Sequence, residues 1–177
     1  HVTRNAQADA ERLRLLASAA TCVACDVGTR IEATSVWTQC LHLRGVLHTA
    51  GLLQDILLQR MAASSVAAVF APKAAAAACL HALAGRSQLA AMVLFSSVAS
   101  TFGSVGQGNY AAANATLDAF AFARASCGLK GSSLQLPLVN GAGMGQATMD
   151  KGYHKGAWSL SLEQYAACLA RLLQGGG

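Results

Sequence analysis

The chain has 177 residues, a length that fits one domain with a sizeable core. Hydrophobic residues make up 54% of it and charged residues only 12%, much of the apolar excess being alanine, which favours a domain packed inside a larger assembly. The net charge of +5 arises from scattered basic residues, whereas a nucleic-acid-binding surface needs clustered cations. The most apolar window, residues 66–85, carries Pro72 and Lys73, which disfavours a transmembrane helix.

Six cysteines are present, and only one pair has motif spacing, Cys22 and Cys25. No second pair follows to complete a zinc site, so no metal is expected. We interpret the cysteines as buried, reduced thiols, which indicates a reducing compartment and predicts a cytoplasmic protein.

Apolar runs and helical periodicity divide the chain into alternating elements. The sequence predicts strands at residues 1–4, 21–27, 45–49, 89–95 and 132–139. It predicts helices at residues 5–20, 31–43, 58–84, 107–126 and 160–173, with a kink in the third at Pro72. This alternation predicts an α/β fold: a doubly wound, Rossmann-type parallel sheet with helices on both faces. We expect residues 1–174 to form one domain, and residues 175–177 to begin a glycine linker.

Polar residues with chemical potential follow the apolar strand at residues 89–95. Parallel sheets bind ligands outside the carboxyl ends of their strands, so this is where chemistry is expected. Ser97 comes just after the strand, Tyr110 lies 13 residues further on, and Asn114 shares a helical face with Tyr110. Taken singly, each residue is better explained as a cap or a packing residue than as a catalytic one.

Taken together, residues 94–118 (LFSSVASTFGSVGQGNYAAANATLD) closely resemble the active-site segment of ketoreductase domains from type I polyketide synthases, within the short-chain dehydrogenase/reductase superfamily. Residues 48–51 (HTAG) resemble the family's strand-4 motif, and residues 71–73 (APK) its lysine element. In the wider superfamily the lysine follows the tyrosine by four residues. Here Asn114 holds that position and Lys73 supplies the lysine, an exchange that points to a synthase ketoreductase.

The resemblance implies NADPH-dependent reduction of a carrier-bound β-ketoacyl thioester. It implies Tyr110 as the proton donor and Ser97 as the hydrogen-bond donor to the substrate carbonyl. Lys73 would hold the nicotinamide ribose, and Asn114 would help to order a proton relay. We also expect the Lys73 ammonium to lower the pKa of Tyr110. The implied partners are the phosphopantetheinyl acyl carrier domain and other synthase domains of the same polypeptide, without nucleic acid or membrane.

The remaining implied site residues form two groups. Those expected to contact the cofactor are Arg4, Asp26, Val27, His48, Ala50, Gly51 and Lys73. Those expected to act on the substrate or its stereochemistry are Asp55, Phe102, Gln107 and Met144. Arg4 occupies the position that selects the 2′-phosphate of NADPH. Asp55 keeps one aspartate of the B-type motif, and Phe102 stands where A-type domains have tryptophan, which favours the B-type and its D-configured alcohol.

One element of the family pattern is missing from the sequence. No strand followed by a GxGxxG turn is present, and the glycine-rich residues 141–145 resemble instead the loop beside the nicotinamide. The missing strand is central in the order 3-2-1-4-5-6, so we expect the chain alone to aggregate and not to bind NADPH. The alternative to an active reductase is a non-catalytic scaffold domain that no longer binds cofactor.

Overall fold

The structure, a computed structural model, describes residues 23–85, 87–140 and 159–174. The helices are α1 (Arg30–Gln39), α2 (Ala63–Ala84), α3 (Ala99–Phe102), α4 (Gly108–Ser126) and α5 (Leu162–Leu173), with a 3-10 turn at Leu58–Arg60. The strands are β1 (Gly45–His48), β2 (Ala91–Ser97), β3 (Ser132–Leu136), β4 (Leu138–Val139) and β5 (Ser159–Leu160). Arg4 and Met144, and the elements predicted at residues 1–4 and 5–20, lie outside the described residues.

The main sheet is parallel and has the strand order β1-β2-β3. Its register pairs Val46 with Met92 and Val93 with Ser132. Helices connect the successive strands, as crossovers between parallel strands require. This order agrees with strands four to six of the predicted doubly wound sheet, and the α/β class is confirmed. A second, two-stranded parallel sheet joins β4 to β5.

Strand β2 is the centre of the core, and five successive residues from Met92 to Ser96 are buried. Burial on both faces is typical of an inner parallel strand. On one face Met92 and Leu94 pack against apolar residues of α2 and α4. Side chains alternate along a strand, so Phe95 points to the opposite face, where its ring lies 6.3 Å from that of Tyr165 in α5. Helices therefore cover both faces of β2.

Helix α2 contains the predicted irregularity at Pro72, in the form of a π-helical turn at Ala71–Ala75. Proline has no N–H to donate and clashes with the preceding turn of an α-helix, and a wider turn accommodates both effects. The next residue, Lys73, is buried. By length and composition α2 could cross a membrane; 28% of its most apolar window is buried inside the protein, and Ala77 and Ala84 of this helix belong to the core.

Several predicted element boundaries are wrong. The part of the strand predicted at residues 21–27 that is described has no strand neighbour in the described sheets, and residues 27–28 form a turn in which Thr29 N–H donates to Asp26 O. The strand predicted at residues 132–139 is divided at Pro137, which cannot donate to a ladder. The short helix α3 was not predicted, because residues 99–102 are too few to show a helical period.

The described cysteines are free thiols. Cys25 and Cys79 are half-buried, and burial raises the pKa of Cys25. Cys40, Cys127 and Cys168 are exposed, so the prediction of buried thiols is wrong for these three. Each lies at or near a helix end or on the outer side of α5, where no core residue covers it.

Candidate active site

The carboxyl end of β2 leads directly into the candidate active site. Ser97 is its last residue, and the Ser97 hydroxyl accepts a hydrogen bond from Ala99 N–H at the start of α3. A turn between α3 and α4 then reverses the chain, with positive φ at Gly103 (73°) and Gly106 (75°), which side-chain-bearing residues rarely adopt. The chain thereby returns to the sheet edge, so the first turn of α4 presents Tyr110 beside Ser97.

Lys73 reaches this site from the π-helical turn of α2. Its ammonium nitrogen donates a 2.9 Å hydrogen bond to Phe95 O in β2 and lies 5.4 Å from the centroid of the Tyr110 ring. The His48 imidazole at the end of β1 braces the same turn through a 3.0 Å hydrogen bond between His48 Nε2 and Lys73 O. Burial lowers the pKa of Lys73 to about 8, while the negative charge of Asp118 acts in the opposite direction.

Tyr110 does not have the lowered pKa that the sequence predicted. Burial raises the pKa of its hydroxyl and the Asp55 carboxylate adds to this, although hydrogen bonds with the Asn114 and Ser97 side chains act the other way. The ammonium of Lys73 lies over the face of the aromatic ring, and desolvation of the phenolate is the largest influence on the pKa of the hydroxyl. The hydroxyl is therefore neutral at neutral pH.

Asn114 lies one helical turn beyond Tyr110 and is fully buried. Its Nδ2 donates to Tyr110 O at 2.8 Å, and its own backbone carbonyl accepts from the Ser96 hydroxyl at 3.2 Å. Asn114 Oδ1 is buried without a hydrogen-bond partner in the described part of the chain. A buried acceptor of this kind is expected to have a donor, and a bound hydroxyl group or water would provide one.

Two of the residues expected to control stereochemistry lie together. Gln107 Nε2 donates to Asp55 Oδ1 at 3.0 Å, and the nearby Ile56 N–H donates to Gly106 O at 2.7 Å. These contacts attach the loop after β1 to the amino-terminal end of α4. Phe102 lies at the end of α3 and is 69% exposed.

The residues expected to hold a nicotinamide cofactor are brought together only in part. Ala50 is exposed and Gly51 is half-buried. Both follow β1 directly and therefore lie at the carboxyl end of the parallel strands, as Ser97 does. Val27 is half-buried beside the exposed Asp26, whose carboxylate accepts from Gly28 N–H at 2.9 Å. One nitrogen of the His48 ring, Nε2, is hydrogen-bonded to Lys73 O, so His48 contacts the turn that carries the lysine.

The fit to a nicotinamide ribose rests on two side chains. Within the described residues the buried Lys73 ammonium has one hydrogen bond, to Phe95 O, and an ammonium can donate three. Asn114 Oδ1 is the orphaned acceptor nearby on α4. Donor and acceptor of this kind suit hydroxyl groups, so the residues present fit the ribose end of the cofactor.

Two residues that hold the site together were missed by sequence reasoning. Asn109 is buried and bridges three segments: Nδ2 donates to Gln54 O at 3.1 Å and to Ser65 O at 3.3 Å, and Oδ1 accepts from Tyr110 N–H. Asp118 accepts hydrogen bonds from the side chains of Ser100, Ser133 and Gln135. The available signal for Asp118 was its spacing, because residues four and eight positions after Tyr110 share one helical face.

Comparison with known proteins decides the family. The sequence profile of the KR domain matches residues 1–141 of the chain. The chain belongs to the ketoreductase (KR) domain family. Its relatives and its fold are those of type I polyketide synthase ketoreductase domains in the short-chain dehydrogenase/reductase superfamily.

The relatives of this KR domain are much longer synthases. It is 40% identical over 169 residues to the polyketide synthase GfsA of Streptomyces halstedii, covering 91% of this chain and 2% of that synthase. It is 43% identical over 145 residues to the spectinabilin polyketide synthase system protein NorB of Streptomyces orinoci, covering 80% of this chain and 7% of that protein. The chain thus spans a small fraction of the relatives it matches.

Solved ketoreductases share the fold of this KR domain. A structure of A-type ketoreductases from a modular polyketide synthase is 32% identical with a TM-score of 0.88, over 98% of this chain and 38% of that one. The first ketoreductase of the tylosin synthase is 35% identical with a TM-score of 0.79, over 98% and 38% of the two chains. The KR domain described here therefore corresponds to less than half of those structures.

Proposed function

We propose that this chain carries the catalytic residues of a domain that reduces a carrier-bound β-ketoacyl thioester to the β-hydroxyacyl thioester with NADPH. The observation that supports it most is the convergence of Lys73, Ser97, Tyr110 and Asn114 at the carboxyl end of one buried strand. These residues come from three separate elements, and each is held by hydrogen bonds or burial. A preorganised set of donors and one acceptor is what reduction of a ketone needs.

NADPH, when bound, supplies the hydride that adds to the ketone carbon. The electron pair of the carbonyl bond then moves to oxygen, which must gain a proton. Tyr110 donates this proton from its hydroxyl, and the raised pKa of that group keeps the proton in place until the oxygen becomes basic. Ser97 donates a hydrogen bond to the same oxygen and orients the ketone toward Tyr110.

Lys73 has two roles in this proposal. Its ammonium donates to hydroxyl groups of the nicotinamide ribose, and its charge stabilises the phenolate that Tyr110 becomes after proton donation. The hydrogen bond to Phe95 O and the His48 contact to Lys73 O restrict the side chain and its helical turn, so little entropy is lost on binding. Asn114 Oδ1 accepts from a hydroxyl group or water that returns a proton to Tyr110.

The wider assignments follow from the proposed reaction. Arg4 selects the 2′-phosphate, and Asp26, Val27, Ala50 and Gly51 border the rest of the cofactor. The substrate arrives on the phosphopantetheine arm of an acyl carrier domain, and other synthase domains share the polypeptide. We take residues 1–174 as one domain in a reducing, cytoplasmic compartment, where the free thiols are stable.

A cofactor-oxidation assay tests this function. The complete domain within its synthase is supplied with a β-ketoacyl thioester on the carrier, and NADPH and NADH consumption are compared. We expect thioester-dependent oxidation of NADPH, slower oxidation of NADH, and loss of both with Tyr110→Phe. Binding of neither cofactor by the complete domain would contradict the proposal and favour a non-catalytic scaffold.

A further inference from the structure

Asn109, which precedes Tyr110 in the first turn of α4, is buried with its amide group fully engaged. The amide nitrogen Nδ2 has two hydrogens and two acceptors: Gln54 O at 3.1 Å and Ser65 O at 3.3 Å. The amide oxygen Oδ1 accepts from Tyr110 N–H at 2.8 Å. A buried amide that is satisfied at both ends is held in one orientation, so Asn109 fixes its three partners relative to one another.

The hydrogen bond to Tyr110 N–H replaces a missing helix cap. The first N–H groups of a helix have no partner within the helix and need an acceptor from elsewhere. The N-cap residue of α4, Gln107, makes no capping hydrogen bond with its side chain, and its amide donates instead to Asp55 Oδ1 at 3.0 Å. Asn109 Oδ1 supplies the acceptor, and it thereby restrains the backbone that carries the proposed acid.

The hydrogen bond to Gln54 O belongs to a row of contacts between residues 54–56, which we call the substrate loop, and the start of α4. At the other end of this row, Ile56 N–H donates to Gly106 O at 2.7 Å. Between them lies Asp55, whose side chain is bonded to the N-cap residue of α4. The substrate loop, which holds the residue expected to act on stereochemistry, is therefore attached to the helix that presents Tyr110.

The hydrogen bond to Ser65 O attaches a third element to the same amide. Ser65 is buried in the first turn of α2, the helix that carries Lys73 two turns further on. One side chain thus connects the substrate loop, the lysine-bearing helix and the tyrosine-bearing helix.

We propose that Asn109 is a positioning residue that holds the substrate loop against Tyr110, so that one face of the ketone is presented to the hydride. This rests on the proposed function, because it concerns how the ketone lies between the loop and the acid. A displacement of about 1 Å in such a contact can change a reaction rate greatly, and the two faces of a ketone differ only in orientation. Asn109 itself contacts no reacting atom.

Two variants of the complete domain in its synthase test this role. Asn109→Leu removes all three hydrogen bonds at similar volume, and Asn109→Asp keeps an acceptor for Tyr110 N–H but loses both donations. With a β-ketoacyl thioester and NADPH, the ratio of the major to the minor alcohol configuration, KM and kcat are measured. We expect the ratio to fall by about fivefold or more in both variants, the factor that one hydrogen bond represents. KM should rise, while kcat should fall by less than the roughly 10²-fold expected for Tyr110→Phe.

Leu89→Val is the matched control for loss of stability. Leu89 is a core residue that precedes the amino end of β2, whereas the candidate site lies at the carboxyl end of that strand. Removing one methylene from it should lower the Tm and leave the configuration ratio and KM at their wild-type values.

Hydrogen–deuterium exchange of residues 54–56 provides a readout that needs no activity. We expect faster exchange of these amides in both Asn109 variants and wild-type exchange in Leu89→Val, because only the former release the substrate loop.

The outcomes are distinct. A lower configuration ratio together with faster loop exchange in both Asn109 variants, but not in Leu89→Val, supports the proposal. An unchanged ratio or unchanged exchange overturns it, whatever happens to kcat, and so does an equal fall of the ratio in Leu89→Val. An effect confined to Asn109→Leu would assign it to the Tyr110 N–H bond and overturn the role of the loop.

Two further results remain decisive. A wild-type domain that reduces no thioester contradicts the proposed function, while the exchange measurement still decides whether Asn109 holds the loop. If neither Asn109 variant folds, Asn109 is required for folding and the positioning role is overturned.

Discussion

The Lys73 ammonium lies 5.4 Å from the centroid of the Tyr110 ring, over its face. A cation in this position is attracted by the π electrons of the ring and is most strongly attracted when water is excluded. Lys73 therefore fixes the orientation of the tyrosine before any phenolate forms. Charge stabilisation at the hydroxyl becomes important only once the proton has left.

Removing the Tyr110 hydroxyl should abolish most of the activity. Tyr110→Phe keeps the ring that Lys73 contacts but has no proton to donate. Loss of a general acid typically costs on the order of 10²–10⁴-fold in rate, and we expect a decrease of this size in kcat for reduction of a β-ketothioester by the complete domain. Ser97→Ala should have a smaller effect, because a hydrogen bond is lost and the acid remains.

Tyr165→Phe is the matched control for that experiment. The same hydroxyl is removed from a half-buried tyrosine of α5, whose ring contacts Phe95. We expect kcat within a few-fold of wild type. If Tyr110→Phe also retained near-wild-type kcat, Tyr110 would not be the acid.

The buried Lys73 should also leave a signature in the pH dependence of stability. Its folded pKa of about 8 lies below the unfolded value of about 10.4, so between these values the unfolded chain binds more protons. The free energy of unfolding therefore rises with pH in this window, and the lysine contributes no slope below it. Lys73→Met lacks this group, so the Tm of wild type minus that of the variant should increase from pH 7 to about pH 10.

Thermal unfolding of both proteins at each pH measures this difference. The contributions of the other titrating groups, which both proteins share, cancel in it. A difference that stays constant from pH 7 to about pH 10 would show that Lys73 has an ordinary pKa in the folded domain.

The fold could be predicted from the sequence because its signals are local. The continuous apolar run now found in β2 indicated a buried parallel strand, and Pro72 indicated an irregular helix, both within short windows. The predicted boundaries of the elements were wrong where they depend on a contact with residues distant in sequence. Residues 23–27 have a strand-like composition, yet strand pairing depends on a neighbour that no local pattern describes.

The candidate site was predictable only as a list of residues. The position of Ser97, Tyr110 and Asn114 after an apolar strand made the segment a candidate, and the resemblance identified it and added Lys73. The direction of the Tyr110 pKa was not predictable, because it depends on whether an ammonium meets the ring or the hydroxyl and on how much water is excluded. Asp118 was missed since its partners belong to α3 and β3 and meet only after folding.

Gly131 should be intolerant of a side chain. A Cβ at this position would lie 2.7 Å from Cβ and 3.1 Å from Cδ of the fully buried Arg124, whose Nε donates to Lys130 O at 2.8 Å. We expect Gly131→Ala to lower the free energy of unfolding by about 1–3 kcal/mol through overpacking. Gly108→Ala, whose Cβ would lie an ordinary 3.6 Å from Met61 Cε, is the matched control and should be neutral or slightly stabilising. Chemical denaturation of the two variants measures both effects, and equal losses would contradict the packing argument.

The stereochemistry of reduction is predicted to be B-type. Asp55 is held by Gln107 at the start of α4, and Phe102 replaces the tryptophan that resemblance associates with the A-type. We expect the D-configured alcohol. Chiral chromatography of the hydrolysed product tests this, and a predominantly L-configured product would overturn it.

Strand β1 should make the isolated chain prone to association. Its other edge has no partner strand in the described sheet, and Leu47 on it is 47% exposed. Unpaired strand edges with apolar side chains promote intermolecular pairing. We expect the 177-residue chain alone to form soluble aggregates or to precipitate. A stable monomer in analytical ultracentrifugation would contradict this expectation.

Transfer of deuterium tests the central claim most directly. The complete domain in its synthase is supplied with a carrier-bound β-ketoacyl thioester and with NADPH deuterated at the transferring position of the nicotinamide, and the product is examined by mass spectrometry and NMR. The account predicts one deuterium on the hydroxyl-bearing carbon in wild type, and at least about 100-fold slower formation of this product in Tyr110→Phe. A hydroxyl product without deuterium, or no product from a domain that is folded and binds the carrier, would contradict it.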